Sequence, residues 1–78
     1  MDDKQFLILL GQEIAKQRKK QGLTQLDLAS LVNMEKPSIT RIEKGRTNPT
    51  SLTLLKISKV LNIPISKFLK FQESTLSK

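Results

Sequence analysis

Cysteine and histidine are both missing from this 78-residue sequence, and each absence removes a class of chemistry. Without cysteine, neither a disulfide framework nor a thiolate metal site is possible. Without histidine, the chain lacks the commonest general base and the commonest metal ligand. The glutamates Glu13, Glu35 and Glu43 show no pairing suited to acid–base catalysis. We therefore predict that the protein is not an enzyme and binds no metal or cofactor.

Long apolar runs are also missing. No segment approaches the roughly 20 apolar residues that a membrane-spanning helix needs. Residues 6–10 are apolar, but aspartates rather than cationic residues precede them, which is not the pattern of a signal peptide. We expect a cytoplasmic protein with no membrane partner. The sequence also shows no pocket-forming second domain that would bind a small-molecule effector.

Positive charge is abundant. Fourteen Lys and Arg residues face seven Asp and Glu residues, which gives a formal charge of +7. Polyanions are the natural partners of so basic a chain, although charge alone leaves nucleic acid and a merely soluble, lysine-rich surface equally open. The length allows one compact domain, expected at residues 1–71, followed by a polar and frayed tail at 72–78.

Helical periodicity dominates the sequence, so we predict an all-α fold of five helices. Thr24 and Asp27 resemble a capping box, Pro37 fits the first turn of a helix, and Gly22 and Gly45 are typical helix stops. The helices are expected at residues 4–21, 25–31 and 36–44, then from a cap at Thr50 or Ser51 to a break at Asn62 and Pro64, and finally at 66–71.

The segment 25–44 carries the most information about function. Small Ala29 lies where two helices would cross, Asn33 suits a left-handed turn residue, and apolar side chains flank the turn. Those apolar side chains are Leu28, Val32, Met34, Ile39 and Ile42. An ordinary helical hairpin would explain any one of these features, but their combination favours a helix-turn-helix formed by the second and third helices.

The sequence resembles the Cro/C1-type (XRE) helix-turn-helix family, whose members are λ-repressor-like domains. The resemblance covers about residues 8–70 and is strongest in two blocks, Gly22-Leu23-Thr24-Gln25 and Ile42-Glu43-Lys44-Gly45. Further matches are found at 14–21, 28–29, 38–41, 48–49 and 54–57. A weaker resemblance links the chain to the controller proteins of restriction–modification systems and to small phage repressors.

This resemblance implies that the third helix enters the major groove of DNA. The base contacts it implies are Lys36, Pro37, Thr40 and Arg41. Arg41 and Lys36 suit guanine, whereas Pro37 and Thr40 suit a thymine methyl group. Family members often have Gln or Ser where this chain has Pro37, so the base code remains open. The implied phosphate contacts are Thr24, Gln25, Ser38, Lys44, Arg46, Thr47 and Asn48.

The resemblance also implies a structural ion pair between Arg18 and Glu43, which would join the first and third helices. Ser38 and Lys44 have alternative roles within their own helix, and Lys16, Lys19 and Lys20 are expected to form a solvated face. The last segment is more apolar than one short helix can bury, so we predict a homodimer interface there, with closure of the core by Phe68 and Leu69 as the alternative for these two residues. Its expected residues are Ile63, Ile65, Phe68, Leu69 and Phe71.

We predict that the protein is a transcriptional regulator that binds a palindromic operator in double-stranded DNA as a homodimer. The resemblance implies that it acts as a repressor. Two half-sites about one helical turn apart would supply the specificity that a single short helix lacks. The alternative is a protein-interaction module of the antitoxin or anti-repressor type that uses the same fold. Such a module usually carries an extra partner-binding arm, and the tail after Phe71 is very short.

Overall fold

A computed structural model describes residues 2–69, which form helices joined by short loops and contain no strand. The helices are α1 (Asp3–Lys20), α2 (Gln25–Leu31), α3 (Lys36–Glu43), α4 (Ser51–Leu61) and α5 (Ile65–Phe68). The predicted five-helix, all-α fold is therefore confirmed. The largest difference is in α5, which begins one residue earlier than expected and ends at Phe68 with Leu69 as its C-cap, rather than at residue 71.

Side-chain caps fix where three of the helices begin. The Asp2 carboxylate accepts the Gln5 backbone N–H at 2.8 Å at the start of α1. Before α2, the Thr24 hydroxyl accepts the Asp27 N–H at 3.0 Å, and the Asp27 carboxylate accepts the Thr24 N–H at 2.8 Å. This is the predicted capping box, and its hydrogen bonds lower the pKa of Asp27. Thr50 caps α4 by accepting the Thr53 N–H.

Asparagines in the left-handed conformation follow α2 and α4 and end these two helices. Asn33 has a φ of 59° in the turn between α2 and α3, as the sequence predicted, and Asn62 has a φ of 55° after α4. Asparagine tolerates this conformation better than other residues with a Cβ. The α2–α3 turn is closed by the Met34 N–H, which donates to the Ala29 carbonyl oxygen at 2.8 Å.

The apolar core draws on all five helices. It consists of Leu10, Ile14, Leu28, Ala29, Val32, Ile39, Ile42, Ile57, Leu61 and Phe68. In α2 the structure buries Leu28 completely while Leu26 remains 60% exposed. Two α4 leucines, Leu52 and Leu55, are also exposed. The four-residue α5 packs against α1 and α4 through Phe68.

Helices α1 and α3 approach each other with no side chain between them at Gly11. A Cβ atom at this position would lie under 3.0 Å from the backbone carbonyl oxygens of Ile42 and Glu43. Only glycine permits so close an approach to the end of α3. A second link joins the ends of α1 and α4, because the Gln21 side-chain amide donates to the Leu61 carbonyl oxygen. The Gly11 contact sets the position of α3 on α1, and the Gln21 contact joins α1 to α4.

Candidate nucleic-acid interface

The outward face of α3 presents the residues that the sequence predicted as base contacts. Lys36, Pro37 and Arg41 are exposed, and Thr40 is half-buried. Their spacing of three to four residues places them on one side of the helix. The opposite side carries Ile39, Ile42 and Glu43, all buried against the scaffold. The structure thus brings the four predicted residues together on one surface, and their contact with bases remains a prediction.

A buried ion pair supports this surface from behind. The Arg18 Nε lies 2.7 Å from Glu43 Oε2, and Arg18 Nη2 lies 3.0 Å from Glu43 Oε1. Arg18 Nη1 also donates to the Leu23 carbonyl oxygen at 2.7 Å, which ties the loop before α2 to α1. The hydrogen bonds to Glu43 raise the pKa of Arg18 above its ordinary high value, so the guanidinium stays charged. The predicted structural ion pair is confirmed.

Gln25, on α2, connects this pair to Thr40 on α3, and the sequence did not predict this connection. Its side-chain Nε2 donates to Glu43 Oε1 at 2.9 Å, and its Oε1 accepts the Thr40 hydroxyl at 2.8 Å. Thr40 Oγ1 also lies 3.2 Å from the Lys36 carbonyl oxygen. Gln25 was expected to contact phosphate, and it is also the polar link between α2 and α3. Gln25 and Thr40 are 15 positions apart, and nothing in that spacing predicts the hydrogen bond between their side chains.

A cleft between α1 and the end of α3 contains further basic residues. We refer to it as the α1–α3 cleft, and it is lined by Gln12, Ala15, Lys16, Arg18, Lys19, Gln25, Glu43 and Lys44. Two of the predicted phosphate contacts, Gln25 and Lys44, are therefore neighbours. Lys16 and Lys19, expected to be part of a solvated face, lie in the same cleft, and both are exposed. The sequence did not single them out because their place beside Gln25 depends on how α1 packs.

A second cleft lies on the other side of α3, next to the loop that leads to α4. This loop cleft is lined by Met34, Ser38, Arg41, Ile42, Thr47, Asn48, Pro49, Thr50 and Thr53. It brings together three predicted phosphate contacts, Ser38, Thr47 and Asn48. Arg41 lies at the boundary between this cleft and the outward face of α3. Hydroxyl and amide groups dominate its polar lining, and such groups are common donors to phosphate oxygens.

Two other predicted phosphate contacts lie outside these clefts. Thr24 is exposed, and its hydroxyl accepts a hydrogen bond within the capping box, so its first role is structural. Arg46 is exposed on the loop after α3, where its backbone N–H donates to the Arg41 carbonyl oxygen at 2.9 Å. Its side chain is free to extend toward a ligand that covers α3.

The predicted dimer interface requires one correction. Phe68 is 0% exposed and belongs to the core of its own chain, so it has no surface to offer a partner. The short α5 needs this large side chain to hold it against α1 and α4. Ile63, Ile65 and Leu69 are half-buried and keep part of their surface accessible. Phe71 lies outside the described residues.

Residues 2–69 were also compared with the requirements of a metal site and of a membrane-spanning helix. That part of the chain has no cluster of three or more acidic side chains that could hold a metal ion. None of its helices combines the length and apolar character needed to cross a membrane. The two polar clefts on either side of α3, together with its outward face, form the candidate site.

Comparison with known proteins agrees with this geometry. Residues 14–68 match the family described as Helix-turn-helix. An uncharacterised HTH-type transcriptional regulator of Haemophilus influenzae is 39% identical over 59 residues, covering 76% of this chain and 60% of the relative. The immunity repressor protein of Bacillus phage phi105 is 37% identical over 57 residues, covering 73% of this chain and 40% of the relative. The chain thus spans about half the length of these two relatives.

A solved structure gives the same assignment. The restriction–modification controller protein C.AhdI from Aeromonas hydrophila superposes with a TM-score of 0.77 at 27% sequence identity, over 80% of this chain and 94% of that one. Fold, ion pair and sequence matches lead to one conclusion: the chain belongs to the Cro/C1-type helix-turn-helix family of transcriptional regulators.

Proposed function

We propose that this protein is a transcriptional regulator that binds a specific double-stranded DNA sequence with α3 in the major groove. The observation that carries the proposal is the exposed face of α3 between two polar clefts. Arg41 and Lys36 would donate to guanine O6 and N7, the commonest specific base contact. Pro37 and the methyl group of Thr40 would contact thymine methyl groups.

The two clefts would hold the DNA backbone on either side of α3. In the α1–α3 cleft, Gln25 and Lys44 would contact phosphate, and Lys16 and Lys19 add positive charge beside them. In the loop cleft, Ser38, Thr47 and Asn48 would donate to a second phosphate group. Thr24 and Arg46 remain candidates at the margins. Such contacts set the register of the protein on DNA but carry little sequence information.

A homodimer on a palindromic operator is the form of binding that we propose. One α3 contacts only a few base pairs, so two copies reading half-sites about one helical turn apart would give useful specificity. Ile63, Ile65 and Leu69 supply accessible apolar surface near the end of the described chain. The phage immunity repressor among the relatives supports a repressor role.

Selection from random-sequence duplexes tests the proposed function. We expect repeated rounds of binding to enrich one short motif in two copies related by a two-fold axis, about 10 base pairs apart centre to centre. A variant with both Lys36 and Arg41 changed to alanine, carried through in parallel, should enrich no motif. If the wild-type protein enriches nothing over the starting pool, sequence-specific binding is wrong. An enriched single half-site would contradict the palindromic operator.

A further inference from the structure

We propose that the Arg18–Glu43 ion pair fixes, through the Gln25 amide, the hydrogen-bond polarity that α3 and its cleft present to DNA. In this arrangement Gln25 can only donate to a phosphate group, and the Thr40 hydroxyl cannot donate to a base. Glu43 and Thr40 are thus positioning residues for Gln25. The inference rests on the proposed DNA-binding function. It adds which of the two residues, Gln25 and Thr40, can donate a hydrogen bond to DNA.

The first step follows from the chemistry of the carboxylate. Glu43 is ion-paired with Arg18 and its side chain is only 5% exposed. An ionised carboxylate accepts hydrogen bonds and donates none. Its Oε1 lies 2.9 Å from the Gln25 amide, so the amide must turn its nitrogen toward Glu43. The reversed amide would place two oxygen atoms against each other in a site that water hardly reaches.

The second step transfers this constraint to α3. Once the Gln25 nitrogen faces Glu43, the Gln25 oxygen is the atom that lies 2.8 Å from the Thr40 hydroxyl. A hydroxyl group has one hydrogen, and an amide oxygen has none to give. Thr40 must therefore donate to Gln25. The Lys36 carbonyl oxygen, at 3.2 Å from the same hydroxyl, is the weaker of the two possible acceptors.

The third step concerns the groups left for DNA. Gln25 retains one N–H on the nitrogen, and it lines the α1–α3 cleft beside Lys16 and Lys44. Phosphate oxygens only accept hydrogen bonds, so the amide orientation set by Glu43 is the one that suits them. For contact with a base, Thr40 keeps its methyl group, which suits a thymine methyl group. It has no hydrogen left for the guanine acceptors.

Two substitutions at Thr40 separate its hydroxyl from its methyl group. Thr40→Val keeps the shape and removes the hydroxyl, so the Gln25 amide is no longer locked. We expect it to weaken binding to every duplex, selected or random, by the same factor of about 2 to 12, the range for a net hydrogen bond. Thr40→Ser keeps the hydroxyl and removes the methyl group. It should weaken binding to random duplexes less than Thr40→Val does and alter preference at no more than one base pair.

A double-mutant cycle tests whether Thr40 acts through Gln25. In a Gln25→Ala background, Thr40→Val should have no further effect on affinity. If Thr40→Val keeps its full effect there, or changes preference at a single base pair, the Thr40 hydroxyl contacts DNA directly and the proposal is wrong. Thermal unfolding of each variant shows whether the fold is intact, and Thr40→Ser provides the matched control.

A measurement without DNA keeps this proposal separate from the proposed function. In nuclear magnetic resonance spectra of the free protein, the two side-chain amide proton signals of Gln25 should shift in Thr40→Val and stay in place in Thr40→Ser. Unchanged signals in both variants would overturn the positioning role itself. If these signals shift as expected but the wild-type protein binds no duplex, the proposed function fails and the phosphate role of Gln25 fails with it.

Discussion

A contact between two helices was predictable where the family resemblance implied it, but not where it depends only on how the helices of this chain pack. The Arg18–Glu43 pair was expected from the family resemblance, and its atoms lie 2.7 Å apart. Gln25 was expected only as a phosphate contact, and its bonds to Glu43 and Thr40 emerged from the structure. Those bonds depend on the angle at which α2 crosses α3, and spacing along the chain does not give that angle.

Arg41→Ala should reduce affinity for the selected operator by about 1–3 kcal/mol and relax preference at one base position. The reason is that a bidentate arginine discriminates one base pair from the other three. Titration of duplexes carrying each single base-pair change would measure this. Because Arg41 also lines the loop cleft, an equal loss on every duplex would instead assign it to phosphate.

Lys59→Ala is the matched control for Arg41. It also removes one exposed positive charge, but it lies on α4, in a groove with Leu31 and Val60 on the far side of α2. We expect it to change affinity little and base preference not at all. A loss as large as that of Arg41→Ala would show that overall charge, rather than the face of α3, determines binding.

At the scale of elements, caps and turns were the most predictable features because they involve neighbours in the chain. The Thr24–Asp27 capping box and the left-handed Asn33 were both predicted and are both present. The end of α5 was predicted too far along the chain, because the apolar residues near it suggested a longer helix. The sequence also left open whether Phe68 packs into the core, because that packing is a tertiary contact.

Gly11→Ala should destabilise the protein, although alanine is the better helix former. The added Cβ would lie under 3.0 Å from two backbone carbonyl oxygens of α3, so α1 and α3 must separate. We expect a net loss of about 1–3 kcal/mol in the free energy of unfolding, the usual effect of overpacking. Chemical denaturation would measure it, and Gln12→Ala, on the exposed side of α1, should change stability by less than about 0.5 kcal/mol. Wild-type stability in Gly11→Ala would contradict the close approach.

For the molecule as a whole, the charge of +7 left a nucleic-acid partner and a merely soluble, lysine-rich surface equally open, and it gave no position for a partner. Folding gathers Lys16, Lys19 and Lys44 beside α3, although they are separated in the sequence. The assembly of two copies was predicted from apolar residues near the end of the chain. The burial of Phe68 leaves a smaller surface for it than the sequence suggested.

Sedimentation equilibrium tests the homodimer. We expect a mass of about twice the 8.9 kDa chain at micromolar concentrations, and Ile65→Lys should shift the equilibrium toward the monomer. Leu52→Lys is the control, because Leu52 is 60% exposed on α4 and lies outside the proposed interface. A wild-type monomer at high micromolar concentration would contradict the dimer without affecting the helix-turn-helix assignment.

The central claim is that the outward face of α3 and its two flanking clefts contact DNA. The most direct test follows the backbone amide signals of the protein by nuclear magnetic resonance as the selected duplex is added. We predict that the largest changes occur along Lys36–Glu43 and at residues lining the two clefts, while Lys56 and Lys59 on α4 change little. Large changes around Leu31, Lys56 and Lys59, with α3 unaffected, would contradict the account.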